Sequence, residues 1–181
     1  MTQPADPILI TIPSLTADFT ALGIEAGMTL VVHSSMKSLG GEVVGGAPAV
    51  ILALEEILTP DGTLIMPTHT ADLSDPANWS NPPVPEAWWQ TIRDTMPPFD
   101  PDLTPVFRMG VIPETFRKQK GVIRSNHPDA SFAAWGKHAR AITANHRLLP
   151  LFGDETPLAR AYALDGWVLL LGVQHNRNTA L

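Results

Sequence analysis

Polar and apolar positions along the chain fall into two textures: short continuous apolar runs, and longer stretches whose apolar residues recur three and four apart. The continuous runs Met28–His33, Thr63–Met66 and Trp167–Val173 predict strands, and the last predicts one buried on both faces. The second spacing predicts helices. In Ala47–Leu58 it puts Val50, Ile51, Leu54, Ile57 and Leu58 on one core-facing stripe, leaving Glu55 and Glu56 to solvent, and Pro48 suits the first turn. Ser14–Leu22 predicts a shorter helix, capped by Ser14 and stopped by Gly23. Further helices are predicted at Glu86–Thr95, Val111–Lys118, Lys137–His146 and Pro157–Leu164, the last capped by Thr156. Arg124–Gly136 has no clear period.

Alternation of strand and helix predicts an α/β class with a largely parallel central sheet. One region departs from it. Between Pro60 and Pro113 fall 11 of the 18 prolines, together with Trp79, Trp88 and Trp89. Large aromatics argue against a flexible linker, so this is expected to be a long ordered excursion, suited equally to a lid and to a homodimer interface.

The three predicted strands end on His33, His69 and His175. Ligands of open α/β sheets bind beyond the carboxyl ends of the strands, so three of the six histidines fall where a crevice is expected. After the first strand, His33–Gly46 holds Ser34, Ser35, Ser38, Lys37 and four glycines ahead of a helix. Hydroxyls and glycine N–H groups can cradle a phosphate-bearing ligand; the same composition also makes an ordinary solvent-facing loop. Neither the Walker nor the dinucleotide glycine spacing is present. His175 precedes the polar cluster Asn176–Thr179 and is a candidate general base, or a histidine that only bonds a strand end. A metal site from His33, His69, His175 and Asp72 has little support, because no helix carries paired histidines at i, i+4. His127 and Ser131 bring a hydroxyl near an imidazole without a nucleophile elbow, which favours positioning or cofactor binding for Ser131.

Composition narrows the classes. Hydrophobic residues make up 44% of the 181 and charged residues 17%, as in a folded domain. The net charge of −6 gives no support for non-specific nucleic-acid binding and favours a cationic small molecule. The absence of cysteine excludes disulfides, thiolate metal sites and a cysteine nucleophile, and suits a reducing cytoplasm. The start Met1–Asp6 lacks a signal-peptide pattern, and no apolar run is long enough to span a bilayer. The expectation is a single cytoplasmic domain over residues 1–181.

Taken in order, Leu30–Gly40, Val44–Gly46, Gly62–His69, Asn81–Pro85, Met109–Glu114, Arg124–Ser131, Leu169–His175 and Asn178–Thr179 resemble the motifs of the aminoglycoside 3-N-acetyltransferases of the antibiotic acetyltransferase fold. The resemblance implies a three-layer α/β/α arrangement and transfer of acetyl from acetyl-coenzyme A to the 3-amino group of an aminoglycoside, by direct attack in a ternary complex. It implies that His33, Ser34, Ser35, Lys37, Ser38 and Val44-Gly45-Gly46 face the coenzyme. Met109, Gly110 and Val111 would line its pantetheine channel, and Ser131 with Phe132 would complete the pocket. His175 would be the general base, and His69, Asp72, Asn178 and Thr179 would lie on the acceptor side; no metal is implied. Family members continue beyond the Asn-x-Thr motif, so the domain is expected to be incomplete at its C-terminus. Alternatives are acetylation of another small-molecule amine and coenzyme A binding without catalysis.

Overall fold

The computed structural model describes residues 8–180; the start Met1–Asp6, read above for a signal-peptide pattern, lies outside them. The elements in order are β1 (Leu9–Ile10), α1 (Ile12–Ala21), β2 (Thr29–Ser34), β3 (Glu42–Val43), α2 (Gly46–Leu58), β4 (Thr63–Pro67), α3 (Trp89–Thr95), α4 (Val111–Phe116), β5 (Ile123–Arg124), β6 (Phe132–Gly136), α5 (Ala139–Thr143), α6 (Pro157–Ala163) and β7 (Trp167–Leu171). β1 and β3 make a small parallel pair. The main sheet has the order β5-β6-β4-β2-β7. β4, β2 and β7 run parallel, whereas β6 is antiparallel to both β4 and β5. The aperiodic Arg124–Gly136 region therefore holds the end of β5 and all of β6, joined by a loop and turn.

Side chains of a strand alternate between faces, and here each face has its own core. Leu30, Val32, Leu64, Met66 and Ala133 pack with Phe19 of α1, Val50 and Leu54 of α2 and Phe116 of α4. Val31, Ile65, Phe132 and Ala134 pack with Ile142 of α5 and Ala161 of α6. The expected three-layer α/β/α arrangement is thus observed. β4 and β6 close tightly: a Cβ on Gly136, whose φ is +94°, would stand 2.2 Å from the Gly62 carbonyl oxygen.

Several local expectations change. The cap of α1 is Thr11, and Ser14 sits three residues on, where its hydroxyl accepts from the Thr11 N–H at 2.8 Å in a reciprocal capping box. The Glu86–Thr95 helix is a one-turn 3-10 segment, Glu86–Trp88, followed by α3. The Lys137–His146 helix contracts to α5. Glu55 is not simply solvated: both carboxylate oxygens accept from Gln119 Nε2, at 2.8 and 2.9 Å.

Among the described residues β7 is not buried on both faces. It pairs only with β2 among the described residues, and Trp167 is 63% exposed. An unbroken apolar run cannot by itself distinguish a central strand from an edge strand. Among the described residues no helix is long and apolar enough to cross a membrane.

Candidate functional site

The sheet order makes β4, β2 and β7 neighbours, so His33, His69 and His175 emerge at one edge. β2 and β7 pair in parallel, with His33 opposite Leu170 and Ser34 opposite Leu171. Ser35 N–H then donates to the Leu171 carbonyl at 2.9 Å. The chain turns through a one-turn 3-10 segment, Met36–Ser38, whose Ser38 hydroxyl is 3.0 Å from that of Ser35. Gly172, at φ +70°, permits this closeness, since a Cβ there would be 3.0 Å from the Ser35 carbonyl oxygen and the Ser38 Cβ. The facing wall is Arg108–Val111 with Pro113. Arg108 lies at φ +57°, stacks on Phe107 at 4.9 Å and donates to the Asn81 carbonyl at 2.9 Å.

Between these walls lies an open cleft of about 790 Å³, a size that suits a small-molecule ligand. Lys37, Arg108 and Arg177 line it, and among the described residues no Asp or Glu does. Ser34, Ser35 and Ser38 contribute hydroxyls, and Ser34 Oγ is buried without a hydrogen-bond partner. Three cations, serine hydroxyls and no lining carboxylate fit the phosphates of a coenzyme A moiety.

The residues singled out from the sequence divide. His33, Ser34, Ser35, Lys37, Ser38, Met109, Gly110 and Val111 come together at the cleft. Val44, Gly45 and Gly46 do not, because the 3-10 segment and β3 carry the chain away; Val44 N–H pairs with the Ile10 carbonyl and Gly45 caps α2. Ser131 and Phe132 are fully buried and do not line it either. Ser131 Oγ donates to the Thr68 carbonyl at 2.7 Å and accepts from Arg124 Nε at 3.0 Å.

His69 and Asp72 lie outside the lining, with His69 Nε2 and Asp72 Oδ1 buried and unpartnered. Thr179 Oγ1 comes within 3.5 Å of His33 Nε2, and Asn178 Oδ1 accepts from the Ala180 N–H. His175 is exposed on the rim, while its neighbours Gln174, Asn176 and Arg177 line the cleft. Among the described residues no group of three or more His, Asp or Glu stands together as a metal site.

Sequence reasoning missed Arg108 and Arg177 as lining cations. Each sits beside a motif already singled out, yet nothing in the spacing shows that the two segments face one another.

At the cleft and behind it, three histidines have lowered pKa values. Burial lowers the pKa of His33. Burial, then His33, His127 and Arg124, lowers that of His69 to about 4. Burial, then His127, Arg160 and His69, lowers that of His146 to about 4 as well. Phe132 N–H donates to Ser125 Oγ, which lies 2.9 Å from His146 Nδ1. His146 Nε2 is buried and unpartnered.

This has a consequence for stability. The unfolded chain takes up these protons near pH 6.5, whereas the folded chain takes them up only near pH 4. Stability is then complete above pH 6.5 and falls as pH drops from 6.5 towards 4. Melting temperature recorded from pH 7.5 to 4.5 is expected to decline by several degrees, and His146→Asn to flatten the decline. An equally steep decline in that variant would show that His146 is not its source.

Comparison with known proteins agrees with the geometry. The model of the family described as aminoglycoside 3-N-acetyltransferase matches residues 31–181. The chain belongs to the aminoglycoside 3-N-acetyltransferase family. Among curated relatives of that family, the SPbeta prophage-derived aminoglycoside N(3')-acetyltransferase-like protein YokD of Bacillus subtilis (strain 168) is 48% identical over 167 residues, covering 92% of this chain and 61% of the relative. Aminoglycoside N(3)-acetyltransferase III of Pseudomonas aeruginosa is 40% identical over 164 residues, covering 90% and 59%. The chain thus spans about three fifths of the length of these relatives. The crystal structure of YokD superposes with a TM-score of 0.92 over 94% of this chain and 68% of that one. A structure of AAC-IIIb as a binary complex with CoASH superposes at 0.76, with 35% identity, over 90% and 59%.

Proposed function

We propose that the cleft seats the coenzyme A moiety of acetyl-coenzyme A and that the protein transfers the acetyl group to the 3-amino group of an aminoglycoside, a cationic small molecule. The observation that carries the reading is the convergence of Lys37, Arg108 and Arg177, with no carboxylate, in a chain of net charge −6. Such a local reversal of sign recruits a polyanion. The names of the relatives, and the CoASH complex of AAC-IIIb, support the same donor and acceptor.

In this reading the serine hydroxyls and the three cations hold the donor, which supplies a thioester carbonyl. The acceptor amine attacks that carbonyl directly: a C–N bond forms, the C–S bond breaks, and the thiol leaves. An ammonium is not nucleophilic, so a base must first remove a proton. His175, on the rim beside lining residues, is assigned that role. One observation favours a second assignment: His33 is the histidine that lines the cleft, and burial keeps it neutral.

The test pairs calorimetry with a thiol-release assay over a panel of aminoglycosides. A charged hydrogen bond is worth about 1.5 kcal/mol at its lower bound, so the Lys37→Ala, Arg108→Ala double variant is expected to raise the Kd for coenzyme A by about 100-fold. An unchanged Kd would move the donor out of this cleft. Binding without thiol release would favour a non-catalytic coenzyme-binding protein, and release with other amines alone would reassign the acceptor.

A further inference from the structure

Arg117 and Arg124 are both buried, with 8% of each residue exposed, and both aim at the same short stretch of backbone. Arg124 has no carboxylate among its hydrogen-bond partners: Nη1 donates to the carbonyls of Pro101 at 3.2 Å and Thr104 at 2.5 Å, and Nη2 to that of Thr68 at 2.6 Å. Its Nε reaches Ser131 Oγ and Thr68 Oγ1, and its plane lies 4.9 Å from the Phe99 ring. Arg117 forks onto Glu114 at 2.7 and 2.8 Å, and its remaining Nη1 donates to the Asp102 carbonyl at 2.8 Å.

Three carbonyls of segment 101–104 are therefore held by guanidinium groups in place of a helix or strand ladder. A buried guanidinium bonded only to neutral oxygens is expensive to desolvate. An apolar side chain of similar volume would fill the space without that cost, but it would leave the carbonyls unpaired. What the arginines do supply is position. Four residues beyond Thr104 the chain reaches Arg108–Val111, the wall of the cleft. The stretch between is pinned at Val106, whose N–H donates to Glu114 Oε2, and at Phe107, whose N–H donates to the His69 carbonyl.

We propose that Arg117 and Arg124 form a two-point clasp on segment 101–104 that sets the cleft wall Arg108–Val111, which makes both of them positioning residues for coenzyme binding. The proposal rests on the donor seat proposed above. It also gives Ser131 an indirect part: its hydroxyl holds Arg124 Nε and never meets the ligand.

The test uses Arg124→Met, which keeps bulk but has no donors, and Arg124→Lys, which keeps the charge but gathers its donors on a single nitrogen. Arg124→Met is expected to raise the Kd for coenzyme A and the KM for acetyl-coenzyme A about 10-fold with kcat within about twofold, because a displaced wall weakens binding without removing a reacting group. Hydrogen exchange should quicken at residues 101–110 and stay unchanged in the sheet, and Arg124→Lys should recover part of both effects. Leu103→Ala, at a residue 81% exposed, should leave all of them unmoved.

A folded Arg124→Met variant with coenzyme Kd within twofold of the parent, or with exchange quickened uniformly along the chain, would overturn the proposal. If Arg124→Met does not fold, Arg124→Lys and Arg117→Lys are read against the same criteria. If the parent protein itself fails to bind coenzyme A, the proposed function falls, and exchange at residues 101–110 still decides whether the clasp exists.

Discussion

His175→Ala is expected to lower kcat for thiol release by about 10²- to 10⁴-fold, the usual contribution of a general base, while the calorimetric Kd for coenzyme A stays within about twofold. The two readouts separate because His175 is exposed on the rim and does not line the cleft, so its removal leaves the cations and serines in place. Turnover equal to that of the parent would end this assignment and direct attention to His33. That residue leads to a different pattern. His33 lines the cleft, is 5% exposed and has Thr179 Oγ1 within 3.5 Å of Nε2. His33→Ala would therefore perturb donor binding as well as turnover. Since burial lowers its pKa, an acid limb of the pH–rate profile that lies below pH 6.5 and is lost in His33→Ala would point to His33 as the base.

Phe132→Ala is expected to cost about 3–5 kcal/mol of folding stability in urea denaturation, the range for emptying an aromatic site in a core. The ring has no exposed surface; it packs in the second core with Val31, Ile65 and Ile142 and meets the His69 ring edge-on at 5.2 Å. Under native conditions the coenzyme Kd of the folded fraction should be unchanged, since Phe132 does not line the cleft. The resemblance implies the opposite, with Phe132 completing the coenzyme pocket. A variant of full stability that binds coenzyme A weakly would restore that role.

How much was legible beforehand follows from the range of each signal. The helix α2 and the strands β2 and β4 are legible because the 3.6-residue and continuous apolar patterns record, locally, which side faces a core. The position of the histidines at strand ends is legible for the same reason. The exposure of β7 is not, because an apolar run says that a strand exists without saying how many neighbours it has. Nor is the pairing of β5 and β6, since Arg124–Ser131 is polar for the sake of a buried network that joins it to Thr68 and Thr104. Ser131 read as a pocket residue because a hydroxyl near a histidine looks alike in sequence whether it meets a ligand or a guanidinium.

By itself, then, the sequence determines the α/β class, the edge of the sheet where a ligand is expected and, through motifs ordered along the chain, the family. Tertiary structure alone decides which residues form the cleft. Lys37, Arg108 and Arg177 lie on three segments far apart in sequence, brought together by the order β4-β2-β7 and by the path of the excursion. Periodicity reports the environment of each residue along its own element. It carries no information about which distant element will face it, and charge convergence is a property of that facing.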